Sequence, residues 1–275
     1  MYVIMSVYDI NEIPLDTVYD INGTSLEQAY NIIGEPLLDD GTANVMTFNI
    51  QRWEGINSNV TLMNSIFNAY QPILVCSIQE TGSNGTLNYV GTQFQTGKAM
   101  ESSSIPNKTA FLFNTSYTDY SEVVYSTNSG ETRGYQKCFV SINGKSVALY
   151  NTHLEPYNAS IRTAQMTELL ADIAQENYFI AMGDYNFIPN DYNAIAKPCV
   201  DAGYNLANWT SVNDLVLTWF NGTTVDGSTE KYPHDNIIVS SNITINSVTY
   251  DQRKITAQTG QIIDHIPIIV NLTVN

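Results

Sequence analysis

Apolar runs of strand length recur along the chain from residue 43 onward, separated by turn-forming residues. Runs of this kind, rich in valine, isoleucine and aromatic residues, are typical of strands buried in a sheet. The pattern predicts strands at residues 44–50, 73–78, 109–114, 136–142, 146–152, 179–183, 236–240, 243–250 and 266–274. Many strands with few helices predict an α/β sandwich, in which two mixed sheets pack face to face and helices cover the outside.

Two segments carry apolar residues at helical spacing instead. Residues 57–70 repeat apolar side chains every three or four positions and end before Pro72, which predicts a helix between the first two strands. A second predicted helix has its N-cap at Ser160 and runs to about residue 176. The side chains predicted to face inward on this helix are Ile161, Ala164, Leu169 and Ile173.

The segment before residue 43 has a repeat of its own. Residues 7–11 read Val-Tyr-Asp-Ile-Asn and recur at 18–22 and, more loosely, at 29–33, with a period of eleven residues. Each unit is a short apolar stretch followed by turn formers, which predicts small β-arches or hairpins that cannot bury a core alone. We interpret residues 1–42 as a β-rich segment for attachment or assembly into a larger particle, or as a decorative strap, and residues 43–275 as one domain.

The composition fits one large folded domain. The chain has 275 residues, of which 43% are apolar and 14% charged, so it can bury a sizeable core. The sequence predicts neither a transmembrane helix nor a signal peptide and leaves the compartment open, with the cell exterior or a particle among the alternatives. The apolar surroundings of Cys76 and Cys138 predict buried thiols, and three cysteines, with Cys199, are too few for a disulfide framework.

The net charge of −16 limits the ways in which this chain could bind nucleic acid. Proteins that bind polyanions tightly neutralise phosphates with clustered lysine and arginine, whereas the eleven basic residues here are scattered singly. Tight and stable binding to nucleic acid is therefore disfavoured. A transient encounter with a phosphodiester through a bound cation is compatible with this charge.

Polar residues that can do chemistry lie where predicted strands begin or end. A carboxylate at the end of a buried strand is unfavourable unless it binds a cation or pairs with a histidine. Such positions recur along the whole domain, which predicts one shared rim. They are Asn49, Glu80, His153, Asp184, Asn186, Asp235, Asp264 and His265.

These residues lie in a series of short motifs: FNIQ, SIQE, TRGYQK, YNTHLE, GDYNFIP, HDNIIVS and IDHIPI, in that order. The series resembles that of the endonuclease/exonuclease/phosphatase superfamily, which includes DNase I-like nucleases, abasic-site endonucleases, sphingomyelinases and inositol-phosphate phosphatases. Two departures are Tyr185, where the family usually has phenylalanine, and His234-Asp235-Asn236, in place of the commoner Ile-Asp-His or Tyr-Asp-Arg. The resemblance implies a DNase I-like four-layer sandwich and a metal-dependent phosphoric ester hydrolase.

The resemblance also implies a metal site built from oxygen ligands. Glu80 is the strongest ligand candidate, with Asn49 and Asp264 close by. Oxygen ligands suit Mg²⁺, Mn²⁺ or Ca²⁺, and Mg²⁺ typically takes one or two carboxylates together with water and phosphate oxygens. For Asn49, and equally for Asn186, a simple role as a turn former is the alternative.

The remaining implied roles concern water and phosphate. Asp184 would orient or deprotonate the attacking water, with Asn186 positioning that water or a phosphate oxygen. His265 would donate to the phosphoryl oxygen, with Asp235 fixing its tautomer and keeping it protonated. Two further donors to the phosphate are implied, and these are Arg133 and His153.

Several alternatives remain open at the level of the sequence. The substrate is DNA in a DNase-like endonuclease, or a phospholipid or cell-surface phosphodiester polymer, and a structural protein using the same scaffold is the non-enzymatic alternative. Arg162 and Gln165 fit an exposed helix face or a packing device. Trp53 and Tyr89 are candidates for substrate contact or for ordinary packing.

Overall fold

The computed structural model describes residues 41–50, 60–81, 94, 96–101, 109–220, 231–251 and 264–275, with the backbone alone at 60–64, 96–101 and 220. The three repeat units lie wholly outside these residues, and of the segment 1–42 only positions 41 and 42 are described. Trp53 and Tyr89 also lie outside the described residues. The assembly role of residues 1–42 and the substrate contacts of the two aromatic residues therefore stay predictions.

Fourteen strands and three α-helices make up the described part of the domain. The strands are β1 (Thr42–Asn49), β2 (Val75–Gln79), β3 (Thr96–Glu101), β4 (Ala110–Phe113), β5 (Tyr117–Val124), β6 (Gly134–Ile142), β7 (Lys145–His153), β8 (Phe179–Asp184), β9 (Asn205–Leu206), β10 (Trp219–Phe220), β11 (Lys231–Tyr232), β12 (Asp235–Val239), β13 (Ile243–Tyr250) and β14 (Ile268–Val274). The helices are α1 (Val60–Ala69), α2 (Ala159–Ile173) and α3 (Ala196–Asp201). These helices are all too short or too polar to cross a membrane.

Two six-stranded sheets carry the fold. Their strand orders are β13-β14-β1-β2-β4-β3 and β5-β6-β7-β8-β12-β9, and β10 pairs with β11 separately. Both sheets are mixed, because β1 runs parallel to β2 and β7 parallel to β8, whereas the other pairs in the two sheets are antiparallel. In the second sheet Asp184 lies opposite His153 on one side and opposite Asp235 on the other. The register therefore puts three chemistry-bearing residues side by side.

The core has three apolar layers, one between the sheets and one on each outer face. The central layer joins β1 and β14 to β7, β8 and β12 through residues such as Val45, Val270 and Ile180. Helix α1 covers the outer face of the first sheet with Ile66 and Phe67, and α2 covers the second sheet. Helix, sheet, sheet and helix make four layers, which confirms the predicted sandwich.

A small polar network interrupts the apolar layer between the sheets. Gln79 donates from Nε2 to Asn151 Oδ1 at 2.9 Å and to Ser77 Oγ at 2.7 Å, and all three side chains are fully buried. Asn151 in turn donates to the carbonyl of Ala110 at 2.9 Å. A shift of one sheet against the other would leave these buried polar groups without hydrogen-bond partners, so the network fixes the alignment of the two sheets. Gln79 directly precedes Glu80, so the network also fixes the base of the candidate site.

The N-cap of α2 is Asn158, and the predicted cap at Ser160 is wrong. Asn158 Oδ1 accepts hydrogen bonds from the backbone N–H groups of Ser160 and Ile161, which would otherwise lack helical partners. Of the predicted inward residues, Leu169 and Ile173 are buried, whereas Ile161 and Ala164 are partly exposed. The helix therefore begins earlier than predicted.

Arg162 and Gln165 are buried, so they form a packing device and not an exposed face. Arg162 Nη1 donates to the carbonyls of Glu155 and Pro156 at 2.8 and 2.9 Å, and its Nε donates to Asp191 at 3.0 Å. Gln165 Oε1 accepts from the backbone N–H of Glu155 at 2.8 Å. Together they anchor the segment that follows His153 to helix α2.

Replacing Arg162 with methionine is expected to destabilise the domain by about 3–5 kcal/mol, because Asp191 and two buried carbonyls would lose their donor. The side chains of Arg162 and Asp191 are 3% and 10% exposed, so water cannot replace the lost partner fully. Urea unfolding measures the change. Lys197→Met is the control, since its ion pair with Asp201 is half exposed and contributes about 0.5 kcal/mol at most. Equal effects of the two changes would contradict the anchoring role.

Candidate active site

Strand ends from both sheets meet at one cleft of about 530 Å³. Six predicted residues reach it from the ends of β2, β7 and β8 and from the segment before β14, together with Arg133 from the segment before β6. The described residues that line this cleft are Glu80, Glu131, Arg133, His153, Pro156, Tyr157, Asp184, Asn186, Ile188, Trp219, Tyr232, His234, Asp264 and His265. The structure thus places the sequence-predicted residues at one rim, with Asn49 and Asp235 in direct contact with them.

Asp184 lies at the centre of this cluster and is almost fully buried. Its Oδ2 accepts a hydrogen bond from Asn49 Nδ2 at 2.8 Å, and its Oδ1 accepts one from the backbone N–H of Asn186 at 2.8 Å. The Nε2 atoms of His153 and His265 lie 3.5 and 3.6 Å from Oδ2. Donors on several sides hold this carboxylate in one orientation.

His265 is held by a second carboxylate. Its Nδ1 lies 2.8 Å from Asp235 Oδ2, and both side chains are buried. Burial by itself lowers the pKa of His265, but Asp235, Asp184 and Asp264 outweigh burial and raise that pKa to about 10. The ring is therefore protonated at neutral pH, with Nδ1 donating to Asp235 and Nε2 directed towards Asp184.

Glu80 and Asp264 bring further negative charge to the same cleft. Burial raises the pKa of Glu80, His265 and the amide of Asn49 lower it, and the charges of Asp184 and Asp264 raise it again. The side chains of Glu80 and Asp264 are 22% and 23% exposed, so both remain within reach of water. Clustered carboxylates with access to water fit a hard divalent cation, which takes oxygen ligands and keeps part of its hydration shell.

Asn49 contacts the same carboxylates as a hydrogen-bond donor. Its Nδ2 donates to Asp184 at 2.8 Å and to Glu80 Oε1 at 3.4 Å. The amide nitrogen of Asn49 thus orients Asp184 and Glu80. Only the carbonyl oxygen of Asn49 could bind a cation. The ligand role of Asn49 stays a prediction, and its contacts show a bridge between the two carboxylates.

Asn186 is a turn former, which is one of the two alternatives that the sequence left open, and its role towards water or phosphate stays a prediction. Its backbone has a left-handed φ of +49°, a conformation that asparagine tolerates better than most residues, so it is a turn former. Its side chain donates to the carbonyl of Leu154 at 2.9 Å and also lines the cleft. The turn therefore aims the amide group at the segment that follows His153.

Arg133 and His153 form the basic side of the cleft. Arg133 donates from Nη1 to the carbonyl of His153 at 3.4 Å, and from Nη2 to Glu131 at 3.2 Å. The Arg133 side chain is 5% exposed, and its Nε has no hydrogen-bond partner among the described residues. This geometry leaves the guanidinium able to take one more acceptor, such as a phosphate oxygen.

Comparison with known proteins rests on structure, because neither a family model nor a curated protein matches the sequence. TDP2 of D. rerio, humanized by 14 mutations, superimposes with a TM-score of 0.70 at 17% identity, covering 85% of this chain and 99% of its own. D. rerio TDP2 in complex with a single-strand DNA product also gives 0.70, at 16% identity and coverages of 85% and 100%. An endonuclease/exonuclease/phosphatase from Bacteroides vulgatus gives 0.67, at 14% identity and coverages of 85% and 99%.

The chain has the endonuclease/exonuclease/phosphatase fold. This finding confirms the fold expected from the motif series. At sequence identities of 14–17%, the likeness to these structures shows the fold alone. The function must therefore be argued from the residues of the cleft.

One wall of the cleft in this endonuclease/exonuclease/phosphatase fold was not predicted from the sequence. The rings of Trp219, Tyr232 and His234 lie nearly parallel, with interplanar angles of 4–11° and centroids 4.9–5.6 Å apart. Trp219 also donates from Nε1 to Asp264 Oδ2 at 2.9 Å. Burial lowers the pKa of His234 to about 3, so this ring is neutral. The departure from the usual motif at His234 was the only signal in the sequence for this wall.

Proposed function

We propose that the chain hydrolyses phosphodiester bonds with the help of a divalent cation, and that its substrate is DNA. One arrangement carries this proposal: Asp184 faces the protonated His265, which Asp235 orients, and the acids Glu80 and Asp264 share the same cleft. The carboxylate of Asp184 suits activation of a water molecule, and the charged ring of His265 suits donation to a phosphoryl oxygen. A cation held by Glu80 and Asp264 would balance the negative charge of the transition state.

Glu80 and Asp264 would hold the cation, which is Mg²⁺ or its substitutes Mn²⁺ and Ca²⁺. When bound, the cation would polarise the phosphoryl group and balance negative charge in the transition state. Trp219 fixes one oxygen of Asp264, so that carboxylate is oriented before any ligand arrives. The same hydrogen bond couples the aromatic wall to the acidic side of the cleft.

Asp184 would orient a water molecule for attack on phosphorus and accept its proton as the new P–O bond forms. Asn49 and the backbone of Asn186 hold the carboxylate in place for this step. His265 would donate through Nε2 to the phosphoryl oxygen, where charge builds up. Arg133 and His153 would hold a further phosphate oxygen, and the P–O bond to the leaving group would break.

Two observations support DNA as the substrate. A protein with the same fold, D. rerio TDP2, has been crystallised with a single-strand DNA product. The aromatic wall of Trp219 and Tyr232 also offers flat surfaces for nucleobases, whose stacking contributes about 1–3 kcal/mol per base in proteins that bind single strands.

A second candidate substrate is a phospholipid or a cell-surface phosphodiester polymer. The net charge of −16 favours this candidate, as does the single arginine or lysine among the described residues that line the cleft. A substrate with one phosphate per recognised unit needs fewer cationic contacts than a nucleic acid does.

A panel of substrates separates the candidates. Plasmid DNA, sphingomyelin, a phosphomonoester and bis-p-nitrophenyl phosphate are each incubated with Mg²⁺ and with EDTA. Hydrolysis of DNA and of the small diester, with no reaction in EDTA, is the result we expect. Cleavage of sphingomyelin alone would favour the lipid alternative. The absence of hydrolysis for the whole panel would overturn the proposal in favour of a structural role.

Replacing Asp235 with asparagine is expected to lower turnover less than deleting the His265 ring does, since an amide misorients that ring without removing it. Steady-state kinetics on bis-p-nitrophenyl phosphate provide the measurement. The double variant Asp235→Asn/His265→Ala should be no slower than His265→Ala alone, because Asp235 acts through His265. Fully additive losses would show that the 2.8 Å contact has no part in the reaction.

A further inference from the structure

His234 is the one histidine in the cleft that the proposed reaction does not use. A ring nitrogen of His234 lies within 4.8 Å of both an oxygen of Asp184 and a ring nitrogen of His265. Two imidazoles and one carboxylate make a donor set different from the oxygen set of Glu80 and Asp264. Nitrogen-rich sites select Zn²⁺, Co²⁺ or Cu²⁺, whereas Mg²⁺ and Ca²⁺ prefer oxygen.

We propose that Asp184, His234 and His265 form a second cation site that takes a transition metal such as Zn²⁺, and that its occupancy switches hydrolysis off. The inhibitory part of this proposal rests on the proposed function. The binding part rests on the donor set alone.

The geometry around His265 suits a metal ligand. The Nδ1 atom of His265 lies 2.8 Å from Asp235 Oδ2, so the other ring nitrogen, Nε2, faces Asp184. A carboxylate behind a histidine is the usual support of a metal-binding imidazole. The distance of 3.6 Å between Nε2 and Asp184 Oδ2 is close to the separation of about 3.4 Å that zinc–ligand bonds of about 2.1 Å give in a tetrahedral site.

The ring of His234 provides the second, independent observation. This side chain is 8% exposed, and its Nδ1 has no hydrogen-bond partner among the residues that the structure describes. Stacking on Trp219 at 4.9 Å, with an angle of 7° between the planes, holds the ring where it is. His234 therefore combines a buried nitrogen without a partner, a fixed ring, and a ring nitrogen within 4.8 Å of Asp184 and His265.

Occupancy of this site would remove two groups that the reaction needs. A metal bound to Asp184 takes the oxygen that would receive the proton of the attacking water. A metal that binds His265 would displace the Nε2 proton to solvent, so the ring could no longer donate to the phosphoryl oxygen. A bound transition metal is therefore expected to inhibit the Mg²⁺-supported reaction without occupying the ligands Glu80 and Asp264.

Co²⁺ is the probe for binding, because a site with imidazole ligands gives it visible absorption bands. The full-length chain is freed of metal and titrated with Co²⁺ in the presence of excess Mg²⁺. We expect one Co²⁺ per chain, and weakening by about tenfold or more in His234→Phe, which keeps a flat ring but removes both nitrogens. His234→Asn is a second variant, should phenylalanine prevent folding as judged by thermal unfolding. Glu80→Gln is the matched control and should leave Co²⁺ binding unchanged.

The outcomes separate this proposal from the proposed function. Undetectable binding of Co²⁺, or equal binding by wild type and His234→Phe, would overturn the site. Loss of binding in Glu80→Gln alone would assign Co²⁺ to the oxygen ligands and would overturn it too. Binding as expected in a chain that hydrolyses nothing would keep the site and refute the proposed function. In an active chain, Zn²⁺ should inhibit hydrolysis of bis-p-nitrophenyl phosphate, and unaltered turnover with Zn²⁺ bound would refute inhibition.

Discussion

The replacement of Glu80 by glutamine is expected to lower Mg²⁺-supported hydrolysis by about 10³-fold, the equivalent of about 4 kcal/mol of transition-state stabilisation. Glutamine keeps the shape of the side chain but is a much poorer ligand for a hard cation. Burial and the nearby charges of Asp184 and Asp264 raise the pKa of Glu80, and a bound cation would relieve both effects. Rates on bis-p-nitrophenyl phosphate across a Mg²⁺ titration provide the measurement.

The matched control for this change is Glu168→Gln. Glu168 hydrogen-bonds to Ser126 near the surface and does not line the cleft, so its replacement should leave the rate near that of wild type. Both variants should unfold at similar temperatures. If Glu80→Gln retained wild-type activity at limiting Mg²⁺, Glu80 would not be a ligand, and the cation site would have to be sought elsewhere.

The second large effect is expected at His265. Its replacement by alanine should lower turnover by about 10² to 10³, the range found when a general acid or an oxyanion donor is removed. The cause is the loss of a charged donor, since Asp235 and Asp184 together hold the His265 ring protonated at neutral pH. Single-turnover rates at saturating Mg²⁺ isolate this effect from cation binding.

The activity of the His265→Ala variant is also measured across a range of Mg²⁺ concentrations. His265 is outside the proposed oxygen ligand set, so half-maximal activity should be reached at a Mg²⁺ concentration close to that of wild type. A loss that excess Mg²⁺ restores would instead make His265 part of the cation site. Turnover within about threefold of wild type would argue against any donor role, given the 10²-fold or larger effect expected of one.

Strands such as β2, β8 and β12 were predictable from the sequence because their apolar runs are buried on both faces. Every predicted strand overlaps an observed one. Strand β5 escaped prediction because its first six side chains are polar or aromatic and the strand is partly or fully exposed, so no apolar run of strand length is present. Short strands such as β10 and β11 have only two residues each, and their pairing depends on tertiary contacts that no local pattern encodes.

The acids and most of the histidines of the candidate site could be predicted from the sequence, whereas the aromatic wall beside them could not. Polar residues at strand ends stand out against apolar runs, and the motif order linked them. Trp219 and Tyr232 carry no such mark, because aromatic residues are common in any core. The N-cap error has a similar cause: Asn158 and Ser160 are both good caps, and the choice depends on Arg162 and Gln165 anchoring the preceding segment.

The position of β14 has a consequence for the order in which the chain acquires its structure during synthesis. β14 lies between β13 and β1, and Asn271 contacts Asn44 across 227 positions of sequence. Such distant pairing is slow to form, because a long loop must close before the contact is made. During synthesis the first sheet stays incomplete until β14, which directly follows His265, has emerged from the ribosome. A nascent chain therefore carries Glu80 and Asp184 before it carries His265. Chains interrupted before residue 265 would therefore be inactive, and their exposed strand edge at β1 would make them targets for chaperones or proteases.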